Sequence, residues 1–567
     1  GRWPVSKATS YEIQVKEENR WVTTKVMADA AAAVQAADTL LARSNLEGVR
    51  VVRDFARLDG TFSENVIHEK LGEKTKSEIT VASVSDAPPC SKVEEAYLLP
   101  ARTTMSRLFR RYFDDKYITP SELLHNAREM KRLGDEGRLL MTAVDQVAAL
   151  QAPGGGAEAK ARRDFLFDAW DKLVARAVQA APAKSVAKAS FAEILAEVGA
   201  AGADRRFRLT VLLCSQLLDQ RGWLGKLEKV IGWIGEPAAA AEMEVMDGFI
   251  ADLLMPAEAI QDLLGYQANL GAALGHMLDL CDGRAEPAKF APPLFGEVNR
   301  LMGEGRLPQS RHALMTRVSR ELRGANPLSR NEPTQEFELY LQLGKRIVAY
   351  GAVIGGPPMV EGLLHRYLRL KNVGGALGYA RAVEEIGELL GEGCRRTNFL
   401  MALAGLPPAA TGSGPTAAES LEVLAEGGDH IDAWVARSLP PRERMVALTA
   451  CNKAIRCCET IEAPLRDKLA ARTDATLARY LADEEVIEKI DKSDDPLALR
   501  ALRLVKFCGS GVLIPGRSMD MAKHRVLGHL RQPQFEERFL SSMPDQQQAE
   551  KHLREFHRLL VEAGFNK

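Results

Sequence analysis

The chain has 567 residues, 46% hydrophobic and 27% charged, a composition that excludes a disordered or collagen-like chain. Its 75 lysines and arginines stand against 76 acids, so the net charge of -1 gives no global argument for nucleic acid. Eight scattered cysteines are too few for a disulfide framework and are not spaced as zinc ligands, which fits a reducing, cytoplasmic compartment.

The chain opens Gly1-Arg2-Trp3-Pro4 and becomes charged without the apolar core of a signal peptide. No window reaches the roughly 18 uninterrupted apolar residues of a membrane span. Tyr11-Glu12-Ile13-Gln14-Val15 and Trp21 to Val26 alternate apolar and polar residues across the Glu18-Asn19 break, which predicts a β-hairpin. The alanine-rich segment Asp29 to Ser44 carries Val34, Ala37, Leu40 and Leu41 on one face and predicts a helix. Gly48 to Phe55 is a third strand, Asp59-Gly60 a turn, and Thr61 to Glu69 a fourth strand. Residues 1–71 thus read as a small α+β domain of ββαββ order. Polar Gly72 to Glu78 and Pro88-Pro89 make 72–100 a linker.

Beyond residue 101 the reading is helical. Thr119-Pro120-Ser121-Glu122 is a helix start with a capping threonine, a proline at the first position and a glutamate three residues on. Asp495-Pro496 and Glu236-Pro237 repeat the cap-then-proline pattern, and after the latter Met246, Phe249, Ile250, Leu253 and Leu254 recur at helical spacing. The Pro/Gly-rich stretch 407–416 divides a helical region at 101–406 from another at 417–567. No repeat of fixed period appears. The expected fold is mostly α: a small ββαββ head and a large irregular multi-helical body, either a bundle array or a diverged α-solenoid.

Few motifs carry chemistry. Gly509, Ser510, Gly511, Gly516 and Arg517 lie in a glycine-rich loop between two predicted helices, where backbone amides and an arginine would suit a phosphate. The loop lacks the lysine of a phosphate-binding loop and has no preceding strand, so a plain helix-to-helix turn competes with that reading. Asp520 and His524 are four apart on the following helix. Cys451, Cys457 and Cys458 are assigned to one helix after Pro440-Pro441 and to its core. Asp491 to Asp495 lacks the glycine and glutamate of a calcium loop and reads as a helix cap. No catalytic constellation, cofactor or metal is expected.

Charge is unevenly placed. Between Lys229 and Arg284 there are nine acids, Glu242, Glu244, Asp247 and Asp252 among them, and no cation. Ala101 to Leu133 leans the other way, with Arg107, Arg110 and Arg111 beside Phe109, Tyr112, Phe113 and Tyr117. Such blocks suit internal pairing, a protein partner or a second copy. The expected function is a cytoplasmic protein-interaction or regulatory scaffold that binds protein partners or itself and no membrane. The alternatives are a regulator or enzyme that binds a nucleotide or other phosphorylated ligand near 509–517, and, less strongly, nucleic-acid binding through 101–133.

Overall fold

Alternation at the N-terminus produces four strands, β1 (Ser10–Glu17), β2 (Arg20–Met27), β3 (Gly48–Ala56) and β4 (Phe62–Leu71), with helix α1 (Ala30–Arg43) between β2 and β3. The sheet is antiparallel in the order β2-β1-β3-β4. Ile13, Val15, Val49 and Val51 face Ala33 and Ala37, whose small side chains let the helix approach closely. The expected ββαββ head is therefore present. The structure is a computed structural model describing residues 9–17, 20–43, 46–56, 62–72, 79–182, 187–188, 190–199, 202–220, 222–330, 333–407 and 414–565. The Glu18-Asn19 break, the Asp59-Gly60 turn, polar residues 73–78 and positions 408–413 lie outside the described residues.

The chain divides into two units, Gly1–Thr80 and Val81–Lys567. The expected linker ran to residue 100, but from Ala82 the backbone is bonded to the helical unit. Ala82 N–H donates to the Leu108 carbonyl at 2.8 Å. Gln146, in the helix Leu139–Gln151, accepts from Val84 N–H at 2.6 Å and donates to the Ala82 carbonyl. Gln151 and Arg162 donate to the carbonyls of Pro88 and Cys90. An extended segment has no ladder of its own, and these side chains supply its partners.

Helices make up the rest of the second unit, and one apolar core continues from Phe191 to Phe556, on both sides of 407–416. Met246, Phe249, Ile250, Leu253 and Leu254 are all in it. Thr119 and Glu122 form the expected capping box, although the helix they start, Pro120–Leu124, is short. Asp495 is no cap: Pro496 takes that position and Asp495 accepts from Arg503 at 2.5 Å. Asp491 is the C-terminal cap of the helix Val486–Ile490, its N–H donating to the Ile487 carbonyl at 2.9 Å. It is buried and shared by Arg500, Arg525 and His529.

Acids placed far away in sequence close several helix N-termini. Glu236 accepts the Phe191 amide on both oxygens at 2.9 Å. Asp252 accepts from Ser121 N–H at 2.9 Å, and Asp247 accepts from Gln309 and Ser310 at 2.6 and 2.9 Å. Each carboxylate satisfies amides that a helix start leaves without intrahelical partners and sits at the positive end of that helix.

Candidate interaction site

The glycine-rich loop leaves the helix Leu497–Gly509 and enters the helix Arg517–Leu530. Val512, Leu513 and Ile514 are buried, so the loop is anchored by its apolar centre. Gly511 has φ +76°, and Gly516 has φ +143°, where a Cβ would collide with the Asp474 carboxylate. Asp474 accepts from Arg517 N–H at 2.6 Å and from Ser518 N–H at 2.9 Å. The amides that would hold a phosphate are thus occupied by an internal anion. Gly509, Ser510 and Arg517 are exposed at the edges of this turn, and His524 and Asp520 are exposed on the following helix.

The charge blocks find partners inside the helical unit. Glu242 pairs with Arg205 at 2.7 Å and Glu244 with Arg206 at 2.8 Å. Asp247 and Asp252 are buried, and Asp252 also holds Arg102 at 2.8 Å. Arg346 reaches Asp279 and Asp282 at 3.0 and 2.8 Å, and Glu258 and Asp262 are also engaged. Arg107 pairs with Asp86 and Arg110 with Asp114, at 2.9 and 2.7 Å, whereas Arg111 is exposed. Phe109, Tyr112 and Phe113 are core residues and offer no stacking surface to a base. A polar cleft of about 310 Å³ contains Arg437, Arg444 and Arg479. Each is paired with an acid, Arg437 and Arg444 with Asp432 and Arg479 with Asp429.

The three clustered cysteines separate. Cys451 is buried in the helix Pro441–Arg456, Cys457 is the exposed residue that ends it, and Cys458 lies beyond. The helix ends at Arg456, two residues short of Cys458, and Cys457 at its cap is outside the core. Among the described residues no group of three or more His, Cys, Asp or Glu side chains could hold a metal ion, and no helix is long and apolar enough to cross a membrane.

A different feature stands out at the surface. Two loops, one after the helix Ala257–Leu264 and one before the helix Leu294–Gly303, are bonded to each other. Tyr266 N–H donates to the Lys289 carbonyl at 2.7 Å. His276 joins them again: its Nε2 donates to the Glu286 carbonyl at 2.9 Å while its Nδ1 accepts from Gln267 at 2.6 Å. Gly265, at φ +73°, permits this approach, because a Cβ there would stand 2.6 Å from Ala291 N and Lys289 O. The paired loops present two aromatic side chains to solvent, Tyr266 at 59% exposure and Phe290 at 64%. Phe290 has φ +69°, left-handed backbone that a bulky residue adopts at a cost of about 1–2 kcal/mol. The Lys289 ammonium lies 4.5 Å from the Phe290 ring centroid, and Pro287, Pro292 and Pro293 stiffen the loop.

The charge and glycine signals did not point here. The legible signal was a glycine next to an aromatic in one segment, Gly265-Tyr266, and an aromatic among prolines in the other. No family model, no curated protein and no solved structure matches the chain.

Proposed function

We propose that this chain is a protein-interaction scaffold and that it docks a protein partner, or a second copy of itself, through the Tyr266 and Phe290 loops. The observation behind this reading is Phe290, with left-handed backbone and an exposed ring, on a loop bonded to Tyr266. Strained backbone persists where surrounding structure over-determines it and concentrates at functional positions. Aromatic anchors supply large contact area at small conformational cost, and they dominate binding energy at protein interfaces. Other exposed apolar side chains are not aromatic; Val423 and Val561, for example, stand on helices and Val26 and Leu71 on strands. The charge blocks give this reading little support, because Arg107, Arg110, Glu242, Glu244, Asp247 and Asp252 are matched internally. The phosphate-ligand alternative is weakened by Asp474, which fills the N-terminus that an anion would need.

The test is truncation of both rings, Tyr266→Ala with Phe290→Ala. The variant keeps the helical circular dichroism of the parent and loses association. Unchanged association in the double variant would remove these loops from the interface.

A further inference from the structure

Four alanines, one from each of four neighbouring elements, line a common space in the helical unit. They are Ala96 in the single-turn helix Val93–Tyr97, Ala101 in the helix Leu99–Leu108, Ala143 in Leu139–Gln151 and Ala169 in Gly156–Gln179. Larger side chains would interdigitate here, whereas these methyl groups leave a cavity of about 120 Å³. Leu108, Leu173 and the ring of Trp170 complete its apolar wall.

The polar side chains that reach this wall are engaged elsewhere. Thr104 Oγ1 donates to the Pro100 carbonyl at 3.0 Å, one turn back in its own helix. Gln151 donates to the Pro88 carbonyl at 3.0 Å and accepts from Arg162 Nε. A buried water needs about two to four polar partners, which this lining does not provide. An apolar cavity of roughly 150 Å³ takes up benzene or xenon instead of water. We propose that this cavity is a binding site for a neutral apolar small molecule, no larger than an aromatic ring or a short aliphatic chain.

Exposure shows where such a ligand enters. Among the residues that line the cavity only Pro88 and Lys92 are exposed, and both belong to the extended segment 88–92. Side chains fasten that segment: Gln151 holds Pro88, and Arg162 donates to the Cys90 carbonyl at 2.6 Å. A wall fastened in this way opens at lower cost than packed helices do, so the ligand passes under residues 88–92. Inside, it regains the van der Waals contacts that the alanines forgo. A charged group would lie among those alanines without a partner, which restricts the site to neutral molecules. The site is separate from the Tyr266 and Phe290 loops, whose residues do not line it.

The experiment titrates benzene into the full chain by isothermal calorimetry in a sealed cell and repeats the titration with Ala143→Leu, whose larger side chain occupies the space. The expected result is saturable binding of one benzene per chain. Ala143→Leu should weaken it about ten-fold or more and keep the helical circular dichroism. No saturable uptake of benzene, or uptake that Ala143→Leu leaves unchanged, would overturn the proposal. Should Ala143→Leu fail to fold, crystals of the unaltered chain under xenon pressure decide the matter. A xenon peak between Ala96, Ala143 and Ala169 then supports the site, and its absence overturns it.

Discussion

Asp474 and Ser518 are 44 residues apart, yet the carboxylate of one accepts the amide of the other at 2.9 Å and closes the helix Arg517–Leu530. Removing the carboxylate leaves the Arg517 and Ser518 amides without their acceptor. Asp474→Ala should therefore lower stability in urea unfolding by about 1–3 kcal/mol. Acetate or phosphate should restore part of the loss in the variant, since a vacated helix N-terminus binds anions. The unaltered chain should show no rise in melting temperature with a panel of nucleotides, because its site is filled. A nucleotide that does stabilise it would revive the phosphate-ligand reading.

Lys226 and Glu122 form a buried ion pair, with the ammonium donating to the Glu122 carboxylate and the Tyr117 carbonyl. Removing one charge strands the other away from water. Lys226→Met should cost about 3–5 kcal/mol, and the double variant Lys226→Met, Glu122→Leu should cost less than the single one. Urea unfolding of the singles and the double measures the coupling. Additive costs would mean that the pair does not act as a unit.

His125 is buried between Tyr97 and Phe207, with its Nδ1 bonded to the Ser121 carbonyl at 2.7 Å. Burial pushes its pKa down to about 4 from the ordinary 6.5; Arg102 and Arg176 add to this and the Ser121 carbonyl opposes it. Between those values the unfolded chain binds a proton that the folded chain does not. His125 therefore lowers stability progressively as pH falls from about 6.5 to about 4, by up to about 3 kcal/mol, and leaves it unaffected above that window. In His125→Phe the stability-against-pH curve should be flatter across the window. An unchanged slope would show that other groups set it.

The head and the helical class were legible because their signals are local. Tyr11 to Val15 alternates over consecutive residues, Gly48 to Phe55 is rich in valine, and Met246, Phe249 and Ile250 repeat within a few turns. The contacts that organise the helical unit are not local. Asp247 and Asp252 counted as surface charge until the fold brought them against Ser310 and Ser121. In each of these starts a serine follows closely on a proline, Pro120-Ser121, Pro308-Gln309-Ser310 and Pro515-Gly516-Arg517-Ser518, but nothing local reveals which acid will face it. Gly265-Tyr266 and the proline-flanked Phe290 stand in the sequence, but the bond that joins their loops and the positive φ of Phe290 have no local signature.

The strain at Phe290 can be measured directly. Asparagine tolerates left-handed backbone better than phenylalanine does, and the exposed ring contributes little to folding. Phe290→Asn should raise stability by about 1 kcal/mol in urea unfolding while weakening association. A loss of stability would show that the ring supports its own loop. In contrast, Gly265→Ala should be destabilising by more than about 1 kcal/mol, because its φ is positive and the Lys289 carbonyl leaves no room for a Cβ.

The most direct test of the interaction site places the photo-crosslinking residue benzoylphenylalanine at position 290 and, as a control, at the slightly more exposed Val423. Irradiation is carried out in a lysate of cells that express the chain. The account predicts a discrete adduct at position 290 that is absent at 423, is competed away by unlabelled chain and is lost when Tyr266→Ala is added. Its mass will distinguish a second 62.1 kDa copy from a different protein. No adduct at 290 beyond the 423 control, or one that persists unchanged with Tyr266→Ala and excess unlabelled chain, would contradict the account.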